Sequence, residues 1–142
     1  MNKKYIYIDI DIFLDTILKR KPHHQYSDKI ISLCEQNEIK GFTSALVIAN
    51  IFYIINKAGN FQMAIKAIGK IRSIIKVLPL TDKEIGESIN AEFKDFEDGV
   101  QYFVSINNKI NFFITRNIKD FTKASTAILS PQEYLELLGI KD

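Results

Sequence analysis

Asp9 closes an apolar run, Tyr5-Ile6-Tyr7-Ile8, near the start of a 142-residue chain, and a helix-like segment from Ile12 to Leu18 follows at once. A carboxylate at the end of a buried strand costs free energy to desolvate, a cost tolerated where the charge meets a metal, a cation or a substrate. In open α/β folds that end of the strand is also where ligands bind. Asp11 stands two residues beyond. Three further places put polar chemistry at an element's end or in an apolar setting. Asn50 sits within Val47-Ile48-Ala49-Asn50-Ile51-Phe52-Tyr53. Asp95-Phe96-Glu97-Asp98 opens a helical pattern. Thr115-Arg116-Asn117-Ile118-Lys119-Asp120-Phe121 follows an apolar strand.

Each place also has a purely structural reading. Asp9 can belong to an ion pair. Asp95 and Asp98, three apart on one helical stripe with Tyr102, can serve the positive end of the helix dipole, worth about 0.3–1 kcal/mol each. Asn50 can be a core amide bonded to backbone or water, since an unsatisfied one costs roughly 1–3 kcal/mol. Asp120 can cap the next turn and Arg116 can pair with an acid. No one of these signals is specific; their joint arrangement is.

The elements that must position them follow from periodicity and caps. Strands are predicted over 5–9, 41–43, 76–80, 111–114 and 127–129, with Pro79 marking an end or an edge. Helices are predicted after Asp9, over 26–36, after Ser44 as its cap, after the Gly59-Asn60 break, after Thr81, over 96–107 and after Ser130. Thr81-Asp82-Lys83-Glu84 and Ser130-Pro131-Gln132-Glu133 are capping-box patterns, the second with Pro at the first helical position. The third helix is apolar nearly all round and is expected to be central. The fourth carries Ile65, Ile68, Ile71 and Ile75 at helical spacing. Phe96, Val100 and Phe103 are expected to form the core stripe of the sixth, and the last carries Tyr134, Leu137 and Leu138. Short strands alternating with helices imply an α/β fold, a central mostly parallel sheet with helices on both faces. No repeat or linker divides residues 1–142, which read as a single domain.

Composition excludes more than it assigns. Hydrophobic residues make up 46% and charged residues 25%, and the net charge of +2 is too mild to argue nucleic-acid binding by itself. Cys34 is the only cysteine, which rules out an internal disulfide and fits a cytoplasmic protein. Asp9, Asp11 and Asp15 interrupt the apolar stretch after Lys3 and Lys4, making it a poor signal peptide. No run of 18 uncharged apolar residues exists, so no membrane span is expected. No convincing Ser-His or Cys-His pair is present, and the adjacent His23 and His24 lack the spacing of a helical metal pair.

Taken in order, Ile8-Asp9-Ile10-Asp11-Ile12-Phe13-Leu14-Asp15, Thr43-Ser44 with Asn50 on the following helix, Asp95-Phe96-Glu97-Asp98, and Thr115-Arg116-Asn117-Ile118-Lys119-Asp120-Phe121 resemble the PIN domain, the metal-dependent ribonuclease fold that includes VapC-like toxins. The closing segment Leu129-Ser130-Pro131-Gln132-Glu133-Tyr134 resembles that family's end, so the likeness spans essentially the whole chain. It implies that Asp9, Asp98 and Asp120 hold Mg²⁺ or Mn²⁺, that Asn50 and Asn117 complete the catalytic set, and that Asp11, Ser44, Asp95, Thr115 and Arg116 orient ligands or substrate. Asn117 and Asp120 compete for the family's fourth acidic position. Ile10 replaces the usual hydroxyl residue, Asp11 the usual Asn, and Asn50 the usual Glu, the last a trait of one bacterial branch. The pocket thereby loses one formal charge at position 50 and is expected to hold metal less tightly.

The activity implied is hydrolysis of RNA phosphodiester bonds. The cation orients the phosphodiester and acidifies the attacking water, and Arg116 helps to stabilise the charge that develops. RNA, a cognate antitoxin and a second copy of the chain are the implied partners, with the third and fourth helices as candidate contact surface. The loop Lys19-Arg20-Lys21-Pro22-His23-His24 reads equally as an RNA-phosphate contact or a solvated basic loop. Two other readings stand beside this one. Asn50 in place of Glu fits a PIN-like binding module with a weakened pocket. Asp9-Ile10-Asp11 also resembles the haloacid dehalogenase-like phosphatases, with Asp9 as nucleophile and Asp11 as general acid, although Phe13 and the lack of a later Gly-Asp motif depart from that pattern.

Overall fold

In β1 (Tyr5–Ile8) side chains alternate in direction, and both directions are buried. Ile6 and Ile8 enter one hydrophobic cluster while Tyr7 enters another. The strand therefore lies inside a sheet covered on both faces. The computed structural model describes residues 2–121 and 126–140 and shows that sheet: β1, β2 (Lys40–Ser44), β3 (Lys76–Leu78), β4 (Phe112–Ile114) and β5 (Ala127–Leu129), in the order β3-β2-β1-β4-β5. All four pairings are parallel. β3 is an edge strand, as Pro79 directly after it suggests.

On the Ile6/Ile8 face lie α1 (Ile10–Ile17), α2 (His24–Glu35), α3 (Ala45–Ala58), α4 (Phe61–Ile74) and α7 (Pro131–Leu137). Gly41 in β2 lets that layer close: a Cβ there would stand 2.6 Å from Ile75 and 2.9 Å from Cys34. On the Tyr7 face, α6 (Phe96–Asn107) packs against Phe42 and Phe113, with α5 (Asp82–Ala91) beside it. A 3₁₀ turn, Ile118–Phe121, follows β4. Caps occur where local chemistry places them: Ser44 accepts from Val47 N–H, and the capping boxes at Thr81 and Ser130 are both formed.

Four helix faces depart from what apolar spacing alone suggests. α3 is peripheral, not central: only Val47, Ile51 and Ile55 are buried, while Tyr53 is 71% exposed. It covers the sheet with a single stripe, so its remaining apolar residues point outward. On α4 the buried positions are Ala64 and Ile71, and Ile65 faces outward for the same reason. The core stripe of α6 runs through Val100 and Val104, and Phe96 is 49% exposed because Phe93, just before the helix, fills the aromatic cluster with Tyr102, Phe103 and Phe121. In α7 the buried pair is Tyr134 and Leu135, with Leu137 outside.

Candidate active site at the carboxyl ends of β1 and β4

The sheet order reverses at β1. The chain first builds β2 and β3 on one side of it, then returns to place β4 on the other. The carboxyl ends of β1 and β4 thus form the crevice in which open parallel sheets bind ligands. Asp9 and Thr115 are the first residues past these two ends. Asp9 N–H donates to the Ile114 carbonyl at 3.0 Å, which locks the two ends together.

The Asp9 carboxylate is 2% exposed and held from two sides. Thr115 Oγ1 donates to Oδ2 at 2.7 Å and the Ile10 N–H donates to Oδ1 at 2.7 Å, so Asp9 is also the cap of α1. Burial raises its pKa most, the Thr115 hydrogen bond opposes that, and the Asp11 charge raises it further. Beneath it Tyr7 Oη donates to Gln101 Oε1 at 3.2 Å, and burial raises the Tyr7 pKa so far that the phenol stays protonated.

α6 delivers the next acids. Asp95 caps the helix by accepting from Asp98 N–H at 3.2 Å, which leaves Asp98 half-buried on the inner side of the first turn. The pKa of Asp98 is pushed from the ordinary 3.8 to about 7, first by burial and then by the charges of Asp9, Asp95, Asp120 and Glu97. Residues from β1, α6 and the turn after β4 therefore share one electrostatic neighbourhood. Asp120, in the 3₁₀ turn, is exposed at its rim. Ser44, buried, caps α3 at the end of β2.

The remaining predicted residues form a second group. Arg116 donates to both oxygens of Asp15, at 2.7 and 3.1 Å, with Asp15 fully buried. Arg20 lies 3.6 Å from Asp11 and 3.7 Å from Asp15. Asn117 Nδ2 donates to Asp11 Oδ2 at 3.0 Å, and its N–H to Thr115 Oγ1 at 3.1 Å. Asp11 thus turns toward Arg20, Arg116 and Asn117. Asn50 reaches neither group's centre; its Nδ2 donates to Glu97 Oε2 at 3.3 Å.

A family model for the PIN domain matches residues 5–119. The chain belongs to the PIN domain family. Ribonuclease VapC1 of Aquifex aeolicus (strain VF5) is 24% identical to it over 141 residues, covering 96% of each chain. Two solved structures share the fold. Mycobacterium tuberculosis VapC20, a sarcin-ricin loop cleaving toxin, superposes with a TM-score of 0.67 at 15% identity over 86% of this chain and 96% of that one. A toxin–antitoxin complex from Klebsiella pneumoniae does so with a TM-score of 0.67 at 17% identity over 89% and 97%. Membership in the PIN family sets aside the phosphatase-like reading of Asp9-Ile10-Asp11.

PIN domains of the VapC type use divalent metal, and the donors here suit a hard cation: they are all carboxylate oxygens. Among the described residues no three His, Cys, Asp or Glu side chains are drawn close enough to enclose an ion by themselves. A hard divalent cation can be held by one or two carboxylates, with water and phosphate completing its shell. Reasoning from sequence missed three contributors. Glu97 was visible only as part of a motif, Gln101 gave no signal at all, and Asp15 was quoted in the opening motif without its Arg116 partner.

Proposed function

We propose that this PIN domain is a metal-dependent endoribonuclease that hydrolyses RNA phosphodiester bonds and is the cytoplasmic toxin of a toxin–antitoxin pair. The observation that carries this reading is the convergence at the sheet's switch point of buried Asp9 and half-buried Asp98, whose pKa burial first and the neighbouring carboxylates second push to about 7. A buried cluster of uncompensated acids is costly unless a cation completes it. The likeness to VapC ribonucleases and to a toxin–antitoxin complex supports the same reading.

Asp9 and Asp98 hold the cation, with Asp120 at the rim. When bound, the metal supplies positive charge for the phosphodiester and a more acidic attacking water. Thr115 fixes the Asp9 carboxylate so that Oδ1 and Oδ2 keep their direction. Asn117, tied to both Thr115 and Asp11, holds the turn that carries Asp120. Arg116, committed to Asp15, orders that turn and borders two adjoining clefts. One, of about 440 Å³, is lined by His23, Tyr26 and Gln132 among others; the second, of about 400 Å³, by residues 116–120. These clefts connect the basic loop to the acids and offer a path for the RNA backbone. In that loop Arg20 and His24 are already held by acids, which leaves exposed Lys19 and Lys21 to meet phosphate.

Antitoxin and second-copy contacts are assigned to α3 and α4, where Tyr53, Phe61, Met63 and Ile65 face outward. Among the described residues no helix is long and apolar enough to cross a membrane.

The test is cleavage of a mixed RNA panel with Mg²⁺, Mn²⁺ or EDTA, beside Asp98→Asn. Metal-dependent cutting that the variant loses by about a thousandfold supports the reading. A folded wild-type preparation that binds RNA but never cuts it would replace the enzyme with a binding module.

A further inference from the structure

A cleft of about 640 Å³ opens at the other end of the sheet, where β1, β2 and β3 begin. Its cations are Lys4, Lys40, Arg72 and Lys76, all exposed, and among its described lining residues Glu38 is the one acid. Among the described residues none of these cations is in an ion pair, although Lys70, on the same helix as Arg72, reaches Glu35 at 3.9 Å. Strand register explains part of the crowding. Lys40 shares a face with Phe42 and Lys76 with Leu78, and both apolar residues belong to the Tyr7 cluster. Phe42 stands opposite Lys76, so the two lysines are diagonal neighbours on that face, about 7–8 Å apart. The fold gains nothing from gathering like charges there, whereas an anion in the cleft would offset their repulsion.

Tyr5 adds an independent feature. It stands opposite Lys40 across β1 and β2 and is 43% exposed. Lys40 Nζ lies 5.8 Å from its ring centroid and 5.7 Å from that of Phe42. An accessible aromatic ring among cations that lack acid partners is the combination that holds single-stranded nucleic acid: bases stack on the ring and phosphates meet the cations. We infer that this cleft is a second contact for single-stranded RNA, with Tyr5 as the stacking residue and Lys40 and Lys76 as the central phosphate contacts. The inference rests on the proposed reading of the chain as a ribonuclease. Four residues of strand separate Tyr5 from Asp9, roughly 13 Å, so the cleft holds nucleotides other than those at the cut. It anchors the chain by charge where the acidic crevice repels phosphate.

The test is fluorescence anisotropy of a labelled single-stranded RNA of about twelve nucleotides, in EDTA so that no strand is cut. Lys40→Gln with Lys76→Gln weakens binding about tenfold, and the slope of log affinity against log salt falls by about 1.4. Tyr5→Ala weakens binding about tenfold and Tyr5→Phe restores it, because stacking needs the ring and not the hydroxyl. With Mn²⁺ present, cleavage of the same RNA by the lysine variant shows a raised KM and an unchanged kcat. Wild-type RNA affinity in the lysine variant overturns the site and leaves the enzyme standing. A loss in that variant with none in Tyr5→Ala, or polyglutamate bound as tightly as RNA, marks a general polyanion surface and overturns the RNA contact. Binding lost in both variants, from a wild type that cuts no RNA with any metal, refutes the enzyme and leaves the RNA contact standing. Circular dichroism melts check folding, and the exposed lysine pair keeps the test decisive should Tyr5→Ala unfold.

Discussion

Two groups of acids lie side by side at the carboxyl ends of this sheet's inner strands, and they differ in how their charge is met. Asp11 and Asp15 are held by Arg20 and Arg116, the latter in a two-point bond to fully buried Asp15. Asp9 and Asp98 receive, among the described residues, only hydrogen bonds from hydroxyl or backbone groups, or none, and burial followed by the charges of Asp9 and the other nearby carboxylates raises the Asp98 pKa. Burial is similar for Asp9 and Asp15, so burial alone does not mark a site. What distinguishes them is the counter-charge. An acid that is met by arginine supports the fold, and an acid left unmet awaits a cation.

Breaking the first group should damage the fold most. Asp15→Asn leaves Arg116 only its longer contact to Asp11, at 3.9 Å, and is expected to cost about 2–4 kcal/mol, below the full cost of splitting a buried pair because Arg116 keeps that contact and some contact with water. Urea unfolding measures this, and an unchanged midpoint would dissolve the distinction between the two groups. Thr115→Val touches the boundary between them. It removes the donor to Asp9 and the acceptor from Asn117, for about 1–3 kcal/mol of stability. It should also raise the Asp9 pKa further, because that hydrogen bond is what opposes the effect of burial, and so weaken Mn²⁺ binding at neutral pH.

The smallest effect has the opposite sign. Asp98 binds its proton more tightly folded than unfolded, with a pKa near 7 against 3.8. Its contribution to stability is therefore fully present below pH 4 and is lost as pH rises through 7. Metal-free protein should melt at a lower temperature at pH 8 than at pH 5. Asp98→Asn should flatten that slope and gain about 1 kcal/mol at pH 8, a figure reduced for solvent screening of a half-exposed group. A variant less stable than wild type at pH 8 would mean that the Asp98 charge is already compensated.

Much of the fold could be read along the chain because it is written in short-range signals. Capping boxes, the Ser44 cap, the Gly59-Asn60 break and the edge-marking Pro79 act over three or four residues, and they placed most element boundaries within a few positions. Helix faces were less legible. Where apolar residues nearly encircle a helix, as in α3, periodicity does not say which stripe meets the sheet. In α6 the nearby Phe93 took the aromatic place expected of Phe96.

By itself the sequence determined that Asp9 would stand at the end of a buried parallel strand, that Asp98 would sit in the first turn of α6, and that Thr115 and Asn117 would follow β4. These positions depend on local periodicity and on the rule that ligands gather at strand ends. Only the tertiary structure decided which acids meet arginine and which meet each other. Arg116 finds Asp15 across 101 residues, and Asn50 finds Glu97 across 47. No local spacing encodes such meetings. They arise from the order β3-β2-β1-β4-β5, which brings the ends of distant segments to one crevice, where Coulomb energy over a few ångströms sets each carboxylate's role.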